Sequence, residues 1–121
     1  MRTLRVLVIE DDALIAMLLA EVLSDLGHTV CATAATPAEA IAAASQEGPD
    51  LVISDVKLRS GSGIDAIEEI LQSRPVPYMF MTGDTVGLHL RLPDAVAIRK
   101  PFSNATLAKA MAKALKAEAA L

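Results

Sequence analysis

The chain has 121 residues, 53% of them hydrophobic but only 2% aromatic, and a formal net charge of −4 at pH 7. This length suits one domain with an aliphatic, alanine-rich core, and the negative charge speaks against nucleic acid as a direct partner. A single cysteine, no secretory signal and no apolar run of the ~18 residues that a membrane span needs together predict a cytoplasmic protein.

Apolar runs alternate with amphipathic ones along the chain, which is typical of strand–helix units around a parallel sheet. The first half predicts strands at residues 5–9, about 29–33 and 51–54, with helices at about 13–26 and from Pro37 to Gly48. Asp12 is a candidate N-cap, Thr36-Pro37-Ala38-Glu39 is a capping box, and Gly27 ends the first helix. One stripe of that helix is apolar and consists of Leu14, Met17, Leu18 and Val22. Cys31 is predicted to be a small buried residue inside the second strand.

The second half continues the same alternation. It predicts a helix at about 64–73, a strand at 78–81, a strand at 95–98 and a last helix that Ser103 caps and that runs to Leu121. Between the two strands, Gly87 interrupts residues 84–93 and Pro93 closes them, so a short or frayed fourth helix is expected. The predicted architecture is α/β, with five strands and five helices in one domain over residues 1–121.

Polar residues stand where four of these strands end. They are Glu10-Asp11-Asp12, Asp55, Thr82-Gly83-Asp84 and Lys100-Pro101. A doubly wound sheet brings the carboxyl ends of its strands to one edge, so these residues are expected to converge. Crowded carboxylates repel each other and need a counter-charge, and oxygen ligands suit Mg²⁺. The sequence therefore predicts a magnesium site beside Lys100, with Asp12 as a helix cap outside it.

This combination suits phosphoryl transfer. Asp55 is the candidate nucleophile, because a carboxylate can form an acyl phosphate while cations neutralise the phosphoryl oxygens. Thr82 can donate its hydroxyl to one of those oxygens and Lys100 its ammonium to another. The segment Ser60-Gly61-Ser62-Gly63 lacks the lysine and spacing of a P-loop, which favours a turn into the third helix.

The chain resembles the receiver domains of two-component response regulators. The resemblance lies in four segments in the family's order, namely Val8-Ile9-Glu10-Asp11-Asp12, Ile53-Ser54-Asp55, Phe80-Met81-Thr82-Gly83 and Arg99-Lys100-Pro101-Phe102. It implies a flavodoxin-like fold with sheet order 2-1-3-4-5 and phosphotransfer to Asp55 from a histidine kinase or histidine phosphotransfer protein. It also implies Mg²⁺ held by Asp11, Asp55 and the Lys57 backbone carbonyl, with Glu10 assisting through water, and a cis Lys100–Pro101 peptide.

One position departs from this family. Receivers usually carry Tyr or Phe three residues before the lysine, as a ring that turns inward on activation, but this chain has Ala97. The run from Pro77 to Gly83 is similar instead to the Pro-Phe-x-Phe-Ala-Thr-Gly motif of a subgroup without that aromatic, with Tyr78 for the first Phe and Met81 for the Ala. Coupling is then expected to run through residues 84–93.

Two other functions compete with that of a signalling receiver. A Mg²⁺-dependent phosphohydrolase would also use Asp55, but it needs a second acid and a lid. Lys57 stands two residues after Asp55, where a well-known phosphohydrolase family has its acid, and no cap insertion is visible. A flavin-binding module would need a phosphate loop where the acidic Glu10-Asp11-Asp12 stands. We expect a stand-alone receiver that is no enzyme beyond promoting its own phosphorylation and dephosphorylation. Its output partner is an unknown protein, and the sequence leaves homodimerisation open.

Overall fold

The computed structural model describes residues 2–83 and 85–119. Its strands are β1 (Arg5–Ile9), β2 (Thr29–Ala34), β3 (Leu51–Asp55), β4 (Lys57–Leu58), β5 (Gly61–Ser62), β6 (Tyr78–Thr82) and β7 (Ala97–Arg99). Its helices are α1 (Ala13–Asp25), α2 (Pro37–Glu47), α3 (Gly63–Ser73), α4 (Thr85–Arg91) and α5 (Asn104–Ala119). Asp84 and residues 120–121, which fall in the predicted fourth and last helices, lie outside the described residues.

The central sheet has five parallel strands in the order β2-β1-β3-β6-β7. This order is the predicted 2-1-3-4-5 once the small antiparallel hairpin β4–β5 is left out of the numbering. The sheet and its helices form a flavodoxin-like α/β fold, as predicted. Among the described residues, no helix combines the length and apolar character of a membrane span.

The core has two halves, one on each face of the sheet. Val6 and Val8 of β1 belong to the half that α1 and α5 cover, while Leu7 and Ile9 belong to the half that α2, α3 and α4 cover. All four side chains are fully buried. A parallel strand with helices on both faces needs such a continuous apolar run, which is why β1 was predictable.

Local signals at the helix ends act as predicted. The Asp12 carboxylate accepts hydrogen bonds from the amides of Leu14 (2.9 Å) and Ile15 (3.3 Å). The Thr36 hydroxyl accepts one from the amide of Glu39 at 3.1 Å. Gly27 and Gly48, beyond the ends of α1 and α2, have φ of +88° and +54°, values that favour glycine.

The apolar stripe of α1 mostly does not face the core. Leu14, Met17 and Leu18 are 58%, 55% and 50% exposed, and only Val22 of the stripe packs against buried residues. The buried residues of α1 are Ala16, Leu19 and Leu23. The helix is apolar nearly all round, so periodicity alone could not identify its buried face.

Three other details differ from the sequence prediction. Strand β7 begins at Ala97 and not at Ala95, although the Val96 carbonyl still accepts a hydrogen bond from Phe80 at 2.9 Å. The turn before α3 contains the β4–β5 hairpin. Cys31 is partly rather than fully buried, because β2 is an edge strand of the sheet.

Helix α4 is short, as predicted, with seven residues. Its one buried side chain is Leu88. Outside the core, a His89 ring nitrogen lies 3.0 Å from the carbonyl oxygen of Ala95, and Arg91 pairs with Asp65 and Glu68 of α3. On β6, the rings of Tyr78 and Phe80 meet edge to face, with centroids 5.9 Å apart and planes at 76°.

Candidate functional site

The polar residues that follow the strands lie together at the carboxyl edge of the sheet. Strand pairing sets their positions, since Ile9 pairs with Ser54, Asp55 with Met81, and Thr82 with Arg99. Glu10 and Asp11 therefore stand beside Asp55, and Lys100 stands beside Thr82. This is the edge at which open α/β sheets place their sites.

Three acids come close enough to share a cation. Glu10, Asp11 and Asp55 each offer a carboxylate oxygen, and these oxygens lie within 4.8 Å of one another. The Glu10 side chain is only 1% exposed, whereas those of Asp11 and Asp55 are 16% exposed. Asp12 is occupied as the cap of α1, in line with its predicted role.

Lys100 bridges two of these acids. Its Nζ donates to Asp55 Oδ2 at 2.9 Å and to Glu10 Oε1 at 3.2 Å. Its backbone amide donates to the Thr82 carbonyl at 3.1 Å, which continues the β6–β7 ladder by one residue. The Lys100–Pro101 peptide is cis, as predicted. The chain thus supplies one cation for two carboxylates.

Burial and pairing shift the proton affinities of these groups. Burial raises the pKa of Glu10 above its ordinary value, and the amide of Asp12 and the ammonium of Lys100 offset this only in part. Burial alone would lower the pKa of Lys100, but its bonds to Asp55 and Glu10 outweigh this, so the pKa rises. Lys100 is therefore a stable positive charge in the site.

The contact between Arg59 and Asp11 was not predicted from the sequence. Its backbone amide donates to Asp11 Oδ2 at 2.7 Å, and its Nε lies 3.7 Å from the same oxygen. The hydrogen bond from the Arg59 backbone amide is the main reason why the pKa of Asp11 lies below its ordinary value. The signal available in the sequence was a basic residue in the turn that follows Asp55, but only the hairpin fold brings it to Asp11.

The other predicted site residues lie around Asp55. Thr82 is 6% exposed at the end of β6. Lys57 has an exposed side chain and pairs with Ser62 in the hairpin, and the predicted role of its carbonyl as a metal ligand stays a prediction. Behind Asp55, the Ser54 hydroxyl donates to the Asp55 carbonyl at 2.8 Å.

The donor set suits a magnesium ion. Carboxylate oxygens are the hard ligands that Mg²⁺ prefers, and three of them converge here from two neighbouring strand ends. Glu10 and Asp55 share the single ammonium of Lys100, so the negative charge of these two carboxylates exceeds the positive charge of the lysine. A divalent cation would supply the missing charge.

Comparison with known proteins gives a family match over most of the chain. Residues 6–112 match the family model described as the response regulator receiver domain. The fold resembles the receiver domain of PhyR from Erythrobacter litoralis, solved by NMR, with a TM-score of 0.86 and 38% sequence identity. That match covers 94% of this chain and 91% of the solved one.

Two curated relatives are similar in sequence. The phyllosphere-induced regulator PhyR of Methylorubrum extorquens is 37% identical over 114 residues, which are 91% of this chain and 43% of PhyR. The transcriptional regulatory protein PdtaR of Mycobacterium tuberculosis is 41% identical over 111 residues, 88% of this chain and 54% of PdtaR. The chain spans about half the length of these relatives.

Proposed function

This chain belongs to the response regulator receiver family, the phosphoacceptor signalling domains of two-component systems, and we propose that Asp55 is its phosphoacceptor. The observation that carries this proposal is the hydrogen bond from Lys100 Nζ to Oδ2 of Asp55, which is one of the three clustered acids. Asp55 is partly exposed, whereas Glu10 is buried. Of these two acids on Lys100, Asp55 is therefore the one that a donor can reach.

The proposed reaction transfers a phosphoryl group from a histidine of the donor to Asp55. An Asp55 oxygen forms a bond to phosphorus while the bond between phosphorus and the donor's histidine nitrogen breaks, and that nitrogen keeps the electron pair. The Lys100 ammonium offsets the charge of one phosphoryl oxygen, and the Thr82 hydroxyl donates a hydrogen bond to another. Asp11, Asp55 and the Lys57 carbonyl would hold Mg²⁺, with Glu10 assisting, and the ion would supply positive charge opposite the phosphoryl oxygens.

The donor is a histidine kinase or histidine phosphotransfer protein. A protein donor must cover the mouth of the site, and the exposed stripe of α1 begins two residues after Asp12 at that mouth. Leu14, Met17 and Leu18 are three half-exposed apolar side chains on adjacent turns, the kind of surface that a partner helix covers. This stripe supports α1 as the docking helix for the donor.

The output partner is a second protein. Helix α4 exposes Val86 by 69% and Leu90 by 83%, and these side chains lie one turn apart. Helix α4 contacts β7, and α5 contacts β7 as well. On α5, Lys109, Lys113 and Lys116 are exposed basic residues. The surface formed by α4, β7 and α5 is the proposed output face. We further propose that residues 1–121 form one receiver domain that works in the cytoplasm.

A phosphohydrolase activity has less support. Hydrolysis of a substrate requires an acid to protonate the leaving group, and Lys57 stands two residues after Asp55 with its side chain exposed. The receiver needs no such acid, because its own phosphorylated Asp55 is the product. We therefore propose that the chain is not an enzyme beyond promoting the gain and loss of its own phosphoryl group.

The test is phosphorylation of the purified chain with acetyl phosphate and Mg²⁺, followed by intact-mass spectrometry. We expect one phosphoryl group on the wild type and none on Asp55→Asn, because the amide keeps the shape but cannot form the acyl phosphate. Asp94→Asn, which changes an exposed acid next to α4, is the matched control and should be labelled like the wild type. Labelled Asp55→Asn would end the assignment.

A further inference from the structure

Among the described residues, two cations of the chain contact the three acids of the site. Lys100 contacts Glu10 and Asp55, and Arg59 contacts Asp11. These contacts differ in distance and in how exposed the cation is. Lys100 is 26% exposed and bonded at 2.9 and 3.2 Å, whereas the Arg59 side chain is 82% exposed and its Nε stands 3.7 Å from the carboxylate.

The backbone of Arg59 is held more firmly than its side chain. Leu58, its neighbour, is buried and pairs with Gly61 in the β4–β5 hairpin. The amide of Arg59 donates to Asp11 Oδ2 at 2.7 Å. A carboxylate oxygen can keep that bond and still coordinate a cation, since it has more than one lone pair. The guanidinium can therefore leave Asp11 without opening the hairpin.

We propose that Arg59 is a positioning residue, the resident counter-cation of Asp11 that a divalent cation must displace in order to bind. This inference rests on the proposed function, because it concerns the same acids. A guanidinium beside Asp11 repels a divalent cation at the same oxygen, and the repulsion weakens binding. Arg59 thus sets the metal affinity of the site from outside the ligand set.

The experiment is calorimetric titration of the purified, metal-free chain with MgCl₂ at low ionic strength. Arg59→Gln keeps most of the stem and removes the charge, and we expect it to bind Mg²⁺ about three- to tenfold more tightly than the wild type. Arg59→Lys restores a cation and should return the affinity to within about twofold of the wild type. High salt should shrink the gain of Arg59→Gln, because ions screen exposed charges.

Lys113→Gln is the charge-matched control, since Lys113 is exposed on α5 and is not one of the two cations that contact the three acids among the described residues. Its Mg²⁺ affinity should equal that of the wild type. The proposal is overturned if Arg59→Gln binds Mg²⁺ no more tightly than the wild type, or if Lys113→Gln gains as much. Acetyl phosphate labelling of the wild type tests the proposed function separately, since it does not depend on the Arg59 variants.

Discussion

Gly63 lies so close to Asp55 that a Cβ atom on Gly63 would stand 1.8 Å from the Asp55 carbonyl oxygen. The amide of Gly63 also donates to the Val56 carbonyl at 2.8 Å. The first residue of α3 is thus pressed against the end of β3. Its close approach holds the backbone of the proposed phosphoacceptor in place.

Gly63→Ala should therefore destabilise the protein. The added methyl group cannot fit without a backbone shift, and overpacking of this kind costs about 1–3 kcal/mol of unfolding free energy. Urea unfolding measures the loss. Gly83→Ala is the control, because nothing lies within 4 Å of a Cβ atom built there. Equal losses in the two variants would contradict the close approach.

Glu10→Gln should change how stability depends on pH. Burial raises the pKa of Glu10, so the folded protein holds this proton more tightly than the unfolded chain does. The stabilising contribution of protonated Glu10 is complete below the ordinary pKa of 4.5 and is lost as pH rises through the raised value. We expect the metal-free variant to gain unfolding free energy relative to the wild type across that window, then to keep a constant difference.

Urea unfolding of both proteins at a series of pH values measures that difference. Asp11→Asn is the contrasting variant, since the pKa of Asp11 is lowered by the Arg59 amide. Its carboxylate stabilises the fold above its ordinary pKa of 3.8 and loses this effect as pH falls through the lowered value. A Glu10→Gln advantage that shrinks with rising pH would show that burial does not dominate at Glu10.

Arg91→Gln should loosen α4. The Arg91 guanidinium lies 2.8 Å from Asp65 and 2.6 Å from Glu68, and these pairs join a seven-residue helix to α3. All three side chains are about half exposed or more, so the pairs are weak, and we expect the amide protection of α4 to fall about two- to fivefold. Hydrogen exchange measures this. Arg99→Gln, which changes an exposed side chain of β7, should leave α4 unchanged, and equal effects would refute the role of Arg91.

Activation should alter α4 more than α1 or α2. Ala97 has no ring to turn inward, and α4 is fixed in the core by Leu88 alone among its residues. A segment with so few buried contacts reorders at little cost. With beryllofluoride and Mg²⁺ as a phosphoryl mimic, hydrogen exchange should change over residues 85–93. Asp55→Asn should show no change, and unchanged exchange in the wild type would rule out this route.

The fold was predictable where local chemistry determines it. Asp12 and Thr36 carry their own capping oxygens, and Gly27 and Gly48 occur where the backbone needs positive φ. The buried face of α1 was not predictable, because α1 carries apolar residues on nearly all of its sides. The β4–β5 hairpin has two residues in each strand, too few for an alternating pattern to appear.

The site also has one part that was predictable from the sequence and one part that was not. Residues at strand ends, such as Asp55 and Lys100, follow from the order of the strands, and the structure brings them into contact. Arg59 meets Asp11 across 48 residues of sequence, through a hairpin with no signal of its own. A contact of that kind depends on the path of a loop, and neither periodicity nor composition describes such a path.

The edge-to-face pair on β6 gives this chain a local optical probe. Tyr78 is the only tyrosine and there is no tryptophan, so the tyrosine emission of the protein arises from this one ring. The ring packs on Phe80 and stands on the strand that ends at Thr82. A change of emission when Mg²⁺ or a phosphodonor is added therefore reports on β6 and its surroundings, without any label.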